Sequence, residues 1–593
     1  MKKLLLSSAF FLSAFFTNAQ AVQDWKNNLP SITTYSFERK VVSDSQGNVY
    51  IVGNYNGTAT DFDPGSGVFN MNSLSNNMYI VKQNAAGNFV WAKQIGGGTT
   101  FALTQASAIT IDASDNIYIS GYSVDLGGTG IDFDPGTGVV NVMNPSSGGG
   151  YVLYILKIDT NGNHIMNKQF KDGTNSAGRN FINDMKVDAT GNIYATGCFG
   201  GTLDFDPDGG TTNLTSVGNA YSNNIFVMKL NASGTLAWAK GIINTGIGGS
   251  NVTDEGYGID VDSAGNVYTT GYYLGGIDAD PGVGVYNLSS AFGASPVLYY
   301  GNKQYISKLD ASGNFVWAYD LAGDHTLLAL PSLKVDSSNN VIISGYQTAI
   351  SDYDFGTAAQ TLPNDTGSFI LKTNSNGGFI WVKSTARSAI LNGNSGLTYA
   401  PGLTLDTAGN IYTTGTFGYG STDFDPSVAT NVLTPPTSGS NVDGYISKLD
   451  TNGNFLWANQ IGSTGQDGCY AIAVSPLGKV TVLGKSSTGF SKSSAAVTAG
   501  GFVASFSQPA LATSQFDLDK NISVYPNPTT NEFNIKISEN LMGAKATIYN
   551  ILGQKINQFT LDFLTTTQNL DKGMYLIAIE KDGNSSTKKL LVN

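Results

Sequence analysis

Short segments in which apolar and polar residues alternate run through most of this 593-residue chain. In one stretch they read YGIDVD (257–262), NVYTTGYY (266–273), QYISKLD (304–310) and NFVWAYD (314–320). Alternation with a period of two predicts β-strands that bury one face. Asp, Ser, Gly and Asn residues separate the segments of the first pair and of the last pair, as tight hairpin turns require. We therefore expect units of four antiparallel strands.

The four-strand unit repeats with a period of about 64 to 79 residues. One motif, D-x-x-(G/N)-N-(V/I)-(Y/I), begins at Asp44, Asp112, Asp188, Asp262, Asp336 and Asp406, with a degenerate seventh copy from Ser475. A second motif leads from a lysine to a Trp, as from Lys82 to Trp91, and in the second repeat we assign Asn167 to the Trp position. Seven four-stranded units predict an all-β fold, a seven-bladed β-propeller. A linear array of separate sandwiches would need long polar linkers between repeats, and the sequence has none.

The two ends of the repeat region are predicted to complete the seventh blade together. The last repeat supplies only three strands, GCYAIAV, KVTVLG and GFVASFS, and its Trp strand is missing. Trp25, near the start of the chain, lies in a strand-like segment with no repeat before it. Pairing this segment with the last strand would close the ring and remove an exposed sheet edge. We expect a propeller over residues 22–506 that the Trp25 strand closes.

The terminal segments differ from the repeats. Residues 1–21 have the pattern of a secretory signal peptide, because two lysines precede a short apolar run and small residues follow. Cleavage would follow Ala19 or Ala21, and no other stretch is apolar and long enough to be a transmembrane span. A polar linker over 507–520 leads to residues 521–593, whose segments alternate like strands. The tail is long enough for a small Ig-like β-sandwich.

Several motifs of the tail occur together and in order. They are Tyr525-Pro526-Asn527-Pro528, the segment 549–554, Gly573-Met574-Tyr575 and a final Lys-rich strand. With them the tail resembles the type A C-terminal sorting domain of the type IX secretion system. The resemblance implies that the secretion machinery is a partner and that the protein is secreted or held at the outer cell surface. The Asp…Gly…Trp repeat resembles the bacterial SBBP β-propeller repeat, which implies that its tryptophans pack between blades.

Composition narrows the classes of function. The chain has 32 basic and 44 acidic residues, and residues 20–520 alone carry about −15. This acidic stretch argues against nucleic acid as a partner, because phosphates demand a basic surface. Only two histidines, His164 and His325, are present, which argues against a His-dependent triad or a multi-His metal site. Cys198 and Cys469 fall in distant repeats, so we expect two free thiols.

Each of the first six repeats carries two aspartates two positions apart in its long second connection, most often as D-F-D-P-G. The pairs are Asp61/Asp63, Asp132/Asp134, Asp204/Asp206, Asp278/Asp280, Asp352/Asp354 and Asp423/Asp425. In an extended segment both carboxylates of a pair lie on one side, where like charges repel. Bound calcium would offset the repulsion, and so would backbone N–H groups of the following turn. A ligand or catalytic site is the third interpretation. Calcium is the one candidate cofactor, with these twelve carboxylates as its candidate ligands.

The sequence favours a binding, adhesion or structural scaffold and leaves catalysis open. Near-uniform loops fit a scaffold whose ligand is an unknown protein or glycan. The alternative is an extracellular polysaccharide-acting hydrolase or lyase, which would use carboxylates with Tyr or Arg. Arginine is rare, occurring at Arg39, Arg179 and Arg387. We expect any ligand on the face that carries the long D-x-D loops, because long loops on a rigid scaffold commonly form binding sites.

Overall fold

A computed structural model describes the larger part of the chain. The described residues are 20–30, 40–96, 102–125, 130–142, 151–171, 180–218, 222–245, 254–289, 302–325, 330–347, 352–356, 359–362, 367–386, 402–418, 420–435, 442–462, 465–486, 500–508, 522–551, 553–581 and 584–593. The chain divides into two compact units, residues 1–507 and 508–593. Each unit is described separately.

The first unit contains, among the described residues, seven large sheets, each with a core of four antiparallel strands that are successive along the chain in all but the seventh. Sheets 1 to 3 are β2 (Lys40–Ser43), β3 (Val49–Asp61), β4 (Asn70–Gln83), β5 (Phe89–Ile95); β6 (Ala102–Ile111), β7 (Ile117–Asp125), β10 (Val152–Ile158), β11 (His164–Phe170); and β12 (Phe181–Val187), β13 (Ile193–Phe199), β16 (Asn224–Leu230), β17 (Leu236–Asn244). Sheets 4 and 5 are β18 (Glu255–Val261), β19 (Val267–Tyr273), β22 (Asn302–Leu309), β23 (Phe315–His325); and β24 (Ser332–Val335), β25 (Val341–Gln347), β26 (Gly367–Thr373), β27 (Phe379–Ala386). Sheets 6 and 7 are β28 (Gly402–Leu405), β29 (Ile411–Gly418), β32 (Val442–Leu449), β33 (Phe455–Ile461); and β34 (Asp467–Val474), β35 (Val480–Ser486), β36 (Gly500–Ser507), β1 (Val22–Asn28).

The first strands of the seven sheets contact one another in a closed cycle. Strand β2 contacts β6, β6 contacts β12, and the series continues through β18, β24 and β28 to β34, which contacts β2 again. Alternating apolar residues of the second and third strands, such as Ile51 and Ile80 in sheet 1, are fully buried between neighbouring sheets. This arrangement places the first strands at the centre of the unit and the fourth strands at its periphery.

Strand β1 joins the two ends of the unit. It pairs antiparallel with β36, with Trp25 opposite Ser505 and Asn28 opposite Phe502. Leu29 continues the pairing, because its N–H donates to the carbonyl oxygen of Gly501 at 2.8 Å. Sheet 7 thereby combines the first described strand of the chain with the last three strands of the repeat region.

Tight turns between the first and second strands are organised around one aspartate. In sheet 5 the Oδ1 of Asp336 accepts the backbone N–H groups of Ser338 and Asn340 at 2.9 and 2.8 Å. Its Oδ2 accepts the side-chain amide of Asn340 at 3.0 Å and the ammonium of Lys372 at 2.9 Å. Burial acts to raise the pKa of Asp336, but these hydrogen bonds outweigh it and leave the pKa below its ordinary value. Equivalent backbone bonds occur at Asp44, Asp112, Asp188, Asp262 and Asp406.

Tryptophans of the fourth strands contact the next sheet around the cycle. The indole N–H of Trp91 donates to the carbonyl oxygen of Thr160, in the β10–β11 turn of sheet 2, at 3.3 Å. Trp25 makes the same contact with Ala85, in the β4–β5 turn of sheet 1, at 3.1 Å. A Cβ on Gly87, whose φ of +81° suits glycine, would come within 2.5 Å of the Trp25 ring. Sheet 7 therefore contacts sheet 1 in the way that sheet 1 contacts sheet 2.

Sheet 2 corrects one assignment made from the sequence. Lys157 lies opposite Met166, as Lys82 lies opposite Trp91, so the assignment of Asn167 to the Trp position is wrong by one residue. A Cβ on Gly234 of the next sheet would come within 2.5 Å of the Met166 sulfur. Met166 also stands nine residues after Lys157, the spacing from Lys82 to Trp91, so a strict count along the motif would have identified it.

The second unit contains two sheets that share one buried apolar cluster. The strands are β37 (Ile522–Tyr525), β38 (Glu532–Ile537), β39 (Ala544–Asn550), β40 (Lys555–Leu561), β41 (Thr565–Asn569), β42 (Gly573–Lys581) and β43 (Asn584–Val592), with a 3₁₀ turn at Glu539–Leu541. They form the sheets β37-β38-β41 and β40-β39-β42-β43. The cluster combines residues of both, including Phe533 and Ile577.

The tail motif holds the last strand of the chain. Asn527 donates from its side-chain amide to the carbonyl oxygen of Lys589 at 2.6 Å and accepts the N–H of Leu591 at 3.0 Å. The N–H of Thr529 donates to Leu591, and that of Asn593 donates to Thr529. The Tyr-Pro-Asn-Pro segment thus covers the edge of β43 that no strand pairs.

No helix among the described residues is long and apolar enough to cross a membrane. Both cysteines, Cys198 in sheet 3 and Cys469 in sheet 7, are buried thiols outside any disulfide, as the sequence predicted. Burial raises the pKa of Cys469 to about 12.

Candidate functional site

The acid pairs lie in short hairpins that connect the second and third strands of sheets 1 to 6. Four hairpins have two short strands each: β8 (Ile131–Asp132) with β9 (Asn141–Val142), β14 (Thr202–Asp204) with β15 (Asn213–Thr215), β20 (Gly276–Asp278) with β21 (Asn287–Ser289), and β30 (Thr422–Asp423) with β31 (Val432–Leu433). In sheet 5 a single bridge joins Asp352 and Thr361. In sheet 1 the hairpin is continuous with β3 and β4, and Asp61 lies opposite Asn70. We call these six elements the acidic hairpins.

The carboxylates of each pair accept backbone N–H groups of their own hairpin. Asp132 Oδ1 accepts the N–H of Asp134 at 3.0 Å and that of Val140 at 2.9 Å. Asp134 Oδ1 accepts the N–H of Gly136 at 2.7 Å. Backbone dipoles thus lie where two like charges would otherwise repel.

The same three bonds, at the same spacing, occur in the other five hairpins. The first aspartate of each pair accepts two N–H groups, and these residues are Asp61, Asp204, Asp278, Asp352 and Asp423. The second aspartate accepts one N–H group from two positions further along, and these residues are Asp63, Asp206, Asp280, Asp354 and Asp425. All twelve carboxylates singled out in the sequence therefore have backbone donors.

The residue between the two aspartates anchors the hairpin, a role that the sequence analysis missed. Phe133 is fully buried, and its ring centroid lies 4.9 Å from that of Tyr154 on the third strand of the same sheet. Matching ring pairs at 4.8 to 5.1 Å are Phe62/Tyr79, Phe205/Phe226, Tyr353/Phe369 and Phe424/Tyr445. Ala279 takes the position in sheet 4 and is also buried. Because successive side chains of an extended segment point to opposite sides, the aromatic ring of D-F-D faces inward when the two carboxylates face outward.

Several acidic hairpins also attach to the fourth strand of the preceding sheet. Strand β17 of sheet 3 pairs with β20 of the next hairpin, with Ile243 opposite Asp278. Gly96 forms a bridge with Asp132, and the N–H of Asp204 donates to the carbonyl oxygen of Lys171 at 3.2 Å. These contacts link neighbouring sheets at the periphery of the cycle.

The donor set of the acidic hairpins is a poor fit for calcium, which takes six to eight oxygen ligands. Each hairpin offers its pair of carboxylates, to which sheet 3 adds Asp208, and one oxygen of each paired carboxylate already accepts backbone N–H groups. Among the described residues, no third acidic, His or Cys side chain joins a pair to form a cluster that could hold a metal ion. In the described part of the chain, such a third side chain is missing from each of the six predicted pairs, Asp61/Asp63, Asp132/Asp134, Asp204/Asp206, Asp278/Asp280, Asp352/Asp354 and Asp423/Asp425.

The sequence analysis left a backbone-held turn, calcium, and a ligand or catalytic site open for these twelve carboxylates. The structure distributes them as separate pairs, one to a hairpin. The backbone contacts supply what the turn interpretation requires. Calcium binding itself stays a prediction, and its test closes the Discussion.

Carboxylates of the central strands also serve contacts between sheets. Asp184 Oδ2 accepts the N–H of Ile259 at 3.0 Å, and Asp260 Oδ2 accepts the N–H of Val335 at 2.9 Å. Lys186 lies 3.1 Å from Asp260, and the attraction of that carboxylate raises the lysine pKa against the effect of burial. Three successive sheets are joined in this way.

A cavity of about 450 Å³ opens between sheets 1 and 2. Its three walls are the acidic hairpin of sheet 1, the fourth strand β5 of the same sheet, and the acidic hairpin of sheet 2. The side chains that define its chemistry are Phe69, Met71, Lys93, Gln94, Asp132 and Asp134. Apart from the acid pair, no sequence signal indicates this cavity, because its walls come from three distant segments.

The arginines on which the enzyme alternative relies, Arg39, Arg179 and Arg387, lie outside the described residues. The side chain of His325 is likewise outside the described part, whereas His164 begins the peripheral strand β11.

Two family models match the chain. The secretion system C-terminal sorting domain matches residues 523–593, and the beta-propeller repeat matches residues 90–123, 246–272 and 387–416. An uncharacterised WD repeat-containing protein of Acanthamoeba polyphaga mimivirus is 24% identical over 507 residues. The match covers 75% of this chain and only 35% of the viral protein.

Solved structures give weaker similarities. PorZ, a surface component of the type IX secretion system of Porphyromonas gingivalis, has 12% identity and a TM-score of 0.22, with 96% of this chain and 100% of that chain covered. A protein of unknown function from Dyadobacter fermentans has 8% identity and a TM-score of 0.31, with 83% and 100% covered. The acylaminoacyl peptidase of Pyrococcus horikoshii has 9% identity and a TM-score of 0.33, with 88% and 59% covered. Superpositions this weak carry no information about function.

Proposed function

We propose that this chain, which carries bacterial β-propeller repeats and a type IX secretion sorting domain, works outside the cell as a rigid binding or adhesion scaffold. The sorting domain marks it for export by type IX secretion, to the medium or to the cell surface. The scaffold is a seven-bladed propeller over residues 22–506, and the tail is an Ig-like β-sandwich. The closed cycle of first strands and the pairing of β1 with β36 support the blade count.

The observation that carries the binding role is the contrast between base and tip in the acidic hairpins. Each base is fixed by a buried residue and by three backbone hydrogen bonds, as at Phe133 and Asp132. Four of the six tips carry an exposed valine, with Val139 at 69% and Val283 fully exposed. Rigidly held apolar groups that face solvent favour contact with a partner.

The mature chain begins, on this proposal, at Gln20. The signal peptide would allow cleavage after Ala19 or Ala21. Ala21 is buried, and its carbonyl oxygen accepts the side-chain amide of Asn459 at 2.6 Å. Cleavage after Ala21 would remove this contact with sheet 6, so the folded protein favours cleavage after Ala19.

The test has two parts, export and binding. Full-length chain and a variant without residues 523–593 are expressed in a bacterium with type IX secretion, and the periplasm, cell surface and medium are assayed. We expect the full chain outside the outer membrane and the shortened chain in the periplasm. The exported protein is then presented with immobilised polysaccharides and surface proteins.

The second part also separates the scaffold from the enzyme alternative. We expect saturable binding to at least one polysaccharide or protein without release of new reducing ends or unsaturated sugars. Steady product release would instead support a hydrolase or lyase and contradict the scaffold. Absence of any binding across the panel would contradict the binding role while leaving export untouched.

A further inference from the structure

The cavity between sheets 1 and 2 occupies a place that side chains fill at two other sheet boundaries. Lys93, Lys168 and Tyr319 hold the same position of the fourth strand, opposite Ile80, Ile155 and Ile306 of the third strand. Lys168 forms an ion pair with Asp208 of the next acidic hairpin. Tyr319 stacks on Phe355 of the next acidic hairpin, with centroids 4.6 Å apart and rings 1° from parallel.

At the first boundary the hairpin lacks a side chain that could reach the fourth strand. Gly136 stands where the third hairpin has Asp208, and Pro135 stands where the fifth has Phe355. Lys93 has no ion pair among the described residues. The cavity of about 450 Å³ lies between Lys93 and this hairpin.

The filled boundary shows which group suits the lysine. Asp208 brings a carboxylate to Lys168 although Asp204 and Asp206, the local acid pair, lie in the same hairpin. The equivalent pair, Asp132 and Asp134, therefore does not prevent an anion from reaching Lys93. A carboxylate supplied from solution would replace the one that Gly136 does not provide.

The remaining walls call for hydroxyl groups and an apolar face. Ionised carboxylates only accept hydrogen bonds, so Asp132 and Asp134 need a ligand with donors. Gln94 also lines the cavity, and because its Oε1 accepts the hydroxyl of Tyr55, the group that it can offer a ligand is its Nε2 donor. Phe69, 39% exposed, supplies an apolar surface. One carboxylate, several hydroxyls and a ring with an apolar face are the features of a uronic acid.

We propose that this cavity binds a uronic-acid residue of an acidic polysaccharide, with the sugar carboxylate on Lys93 and hydroxyls on the acid pair. The ring lies against Phe69. The volume falls in the range of small-molecule sites, roughly 300 to 1,000 Å³. The inference rests on the proposed binding function and names its ligand class.

The decisive variant is Gly136→Asp, which places in the second hairpin the residue that the third already has. Gly136 lacks the left-handed backbone that requires glycine, and its N–H bonds to Asp134 as that of Asp208 bonds to Asp206. The new carboxylate would pair with Lys93 and occupy the cavity. We expect its melting temperature to equal or exceed that of the unmodified protein.

Calorimetric titration of the exported protein with tetragalacturonic acid, in the presence of a chelator, measures the binding. We expect Gly136→Asp and Lys93→Ala to weaken it at least tenfold. The matched control Lys168→Ala, at the same position of sheet 2 where Asp208 already pairs with the lysine, should bind like the unmodified protein. A neutral tetragalactoside should bind at least tenfold more weakly than the acidic one.

The outcomes separate this site from the broader proposal. Undiminished binding by Gly136→Asp, or equal affinity for the neutral sugar, overturns the uronate site and leaves the scaffold function standing. A protein that binds other polysaccharides and no uronate does the same. Binding of tetraglutamate in preference to the uronate assigns the cavity to acidic peptides and overturns the proposal.

Discussion

Replacing Trp25 tests how the propeller closes. Its indole N–H donates to the carbonyl oxygen of Ala85 at 3.1 Å, and its ring packs on the β4–β5 turn at Gly87. Truncation of a fully buried Trp costs about 3–5 kcal/mol, and a hydrogen bond contributes about 1 kcal/mol. Because the Trp25 ring is half-buried, we expect Trp25→Ala to lower the free energy of unfolding by about 3 kcal/mol.

The strand that loses protection in Trp25→Ala is more informative than the size of the decrease in free energy of unfolding. Strand β1 covers the edge of β36, so Trp25→Ala should accelerate hydrogen exchange throughout Gly500–Ser507. The matched control is Trp317→Ala, which removes an indole that donates to Ser375 at 3.3 Å within the cycle. We expect a comparable loss of stability in the control, measured by urea unfolding, with exchange in β36 unchanged. Equal protection of β36 in both variants would refute closure by the Trp25 strand.

The contacts within and between sheets give three further predictions. Phe424→Ala should lower the free energy of unfolding in urea by about 3–5 kcal/mol, because the ring is fully buried against Tyr445. The control Phe69→Ala, which truncates a part-exposed ring, should cost less than half as much. Asp336→Asn should cost about 3 kcal/mol at pH 7, because the buried Lys372 ammonium loses its carboxylate partner and keeps its hydrogen bond to the carbonyl oxygen of Thr451 at 2.9 Å. The folded-state pKa of Asp336 lies below the ordinary 3.8. The stabilisation that its carboxylate provides is therefore complete above pH 3.8 and is lost as the pH falls through the folded-state pKa. The difference in free energy of unfolding between the variant and the unmodified protein should shrink below about pH 4. N-terminal sequencing of the exported protein should begin at Gln20, and a start at Val22 would contradict the role given to Ala21.

The repeat motifs predicted local structure well because each motif closes its own hydrogen bonds. Asp262, Asn266 and Tyr268 lie within seven residues of sequence, and the same three side chains bond to one another in the structure. The Trp25 segment was recognisable as a strand without a blade, and in the structure it pairs with β36. Both inferences needed only a periodic pattern and a count of strands.

The contacts between sheets could not be derived in the same way. Phe133 lies between two aspartates of the motif, but its partner Tyr154 follows after a connection whose path the sequence does not specify. The pairing of Ile243 with Asp278 depends on how closely the twist of one sheet brings the next hairpin to it. The cavity is harder still to predict, because its walls come from three segments that are distant in the sequence.

Backbone N–H groups and buried residues hold the acidic hairpins in the fold, and we predict that they need no metal to do so. Metal analysis and thermal unfolding of the exported protein, with excess Ca²⁺ and with a chelator, test this most directly. We predict no bound calcium and the same melting temperature in both conditions, because each acid pair already accepts three N–H groups. Several bound ions together with a large rise in melting temperature would contradict it and make the twelve carboxylates calcium ligands.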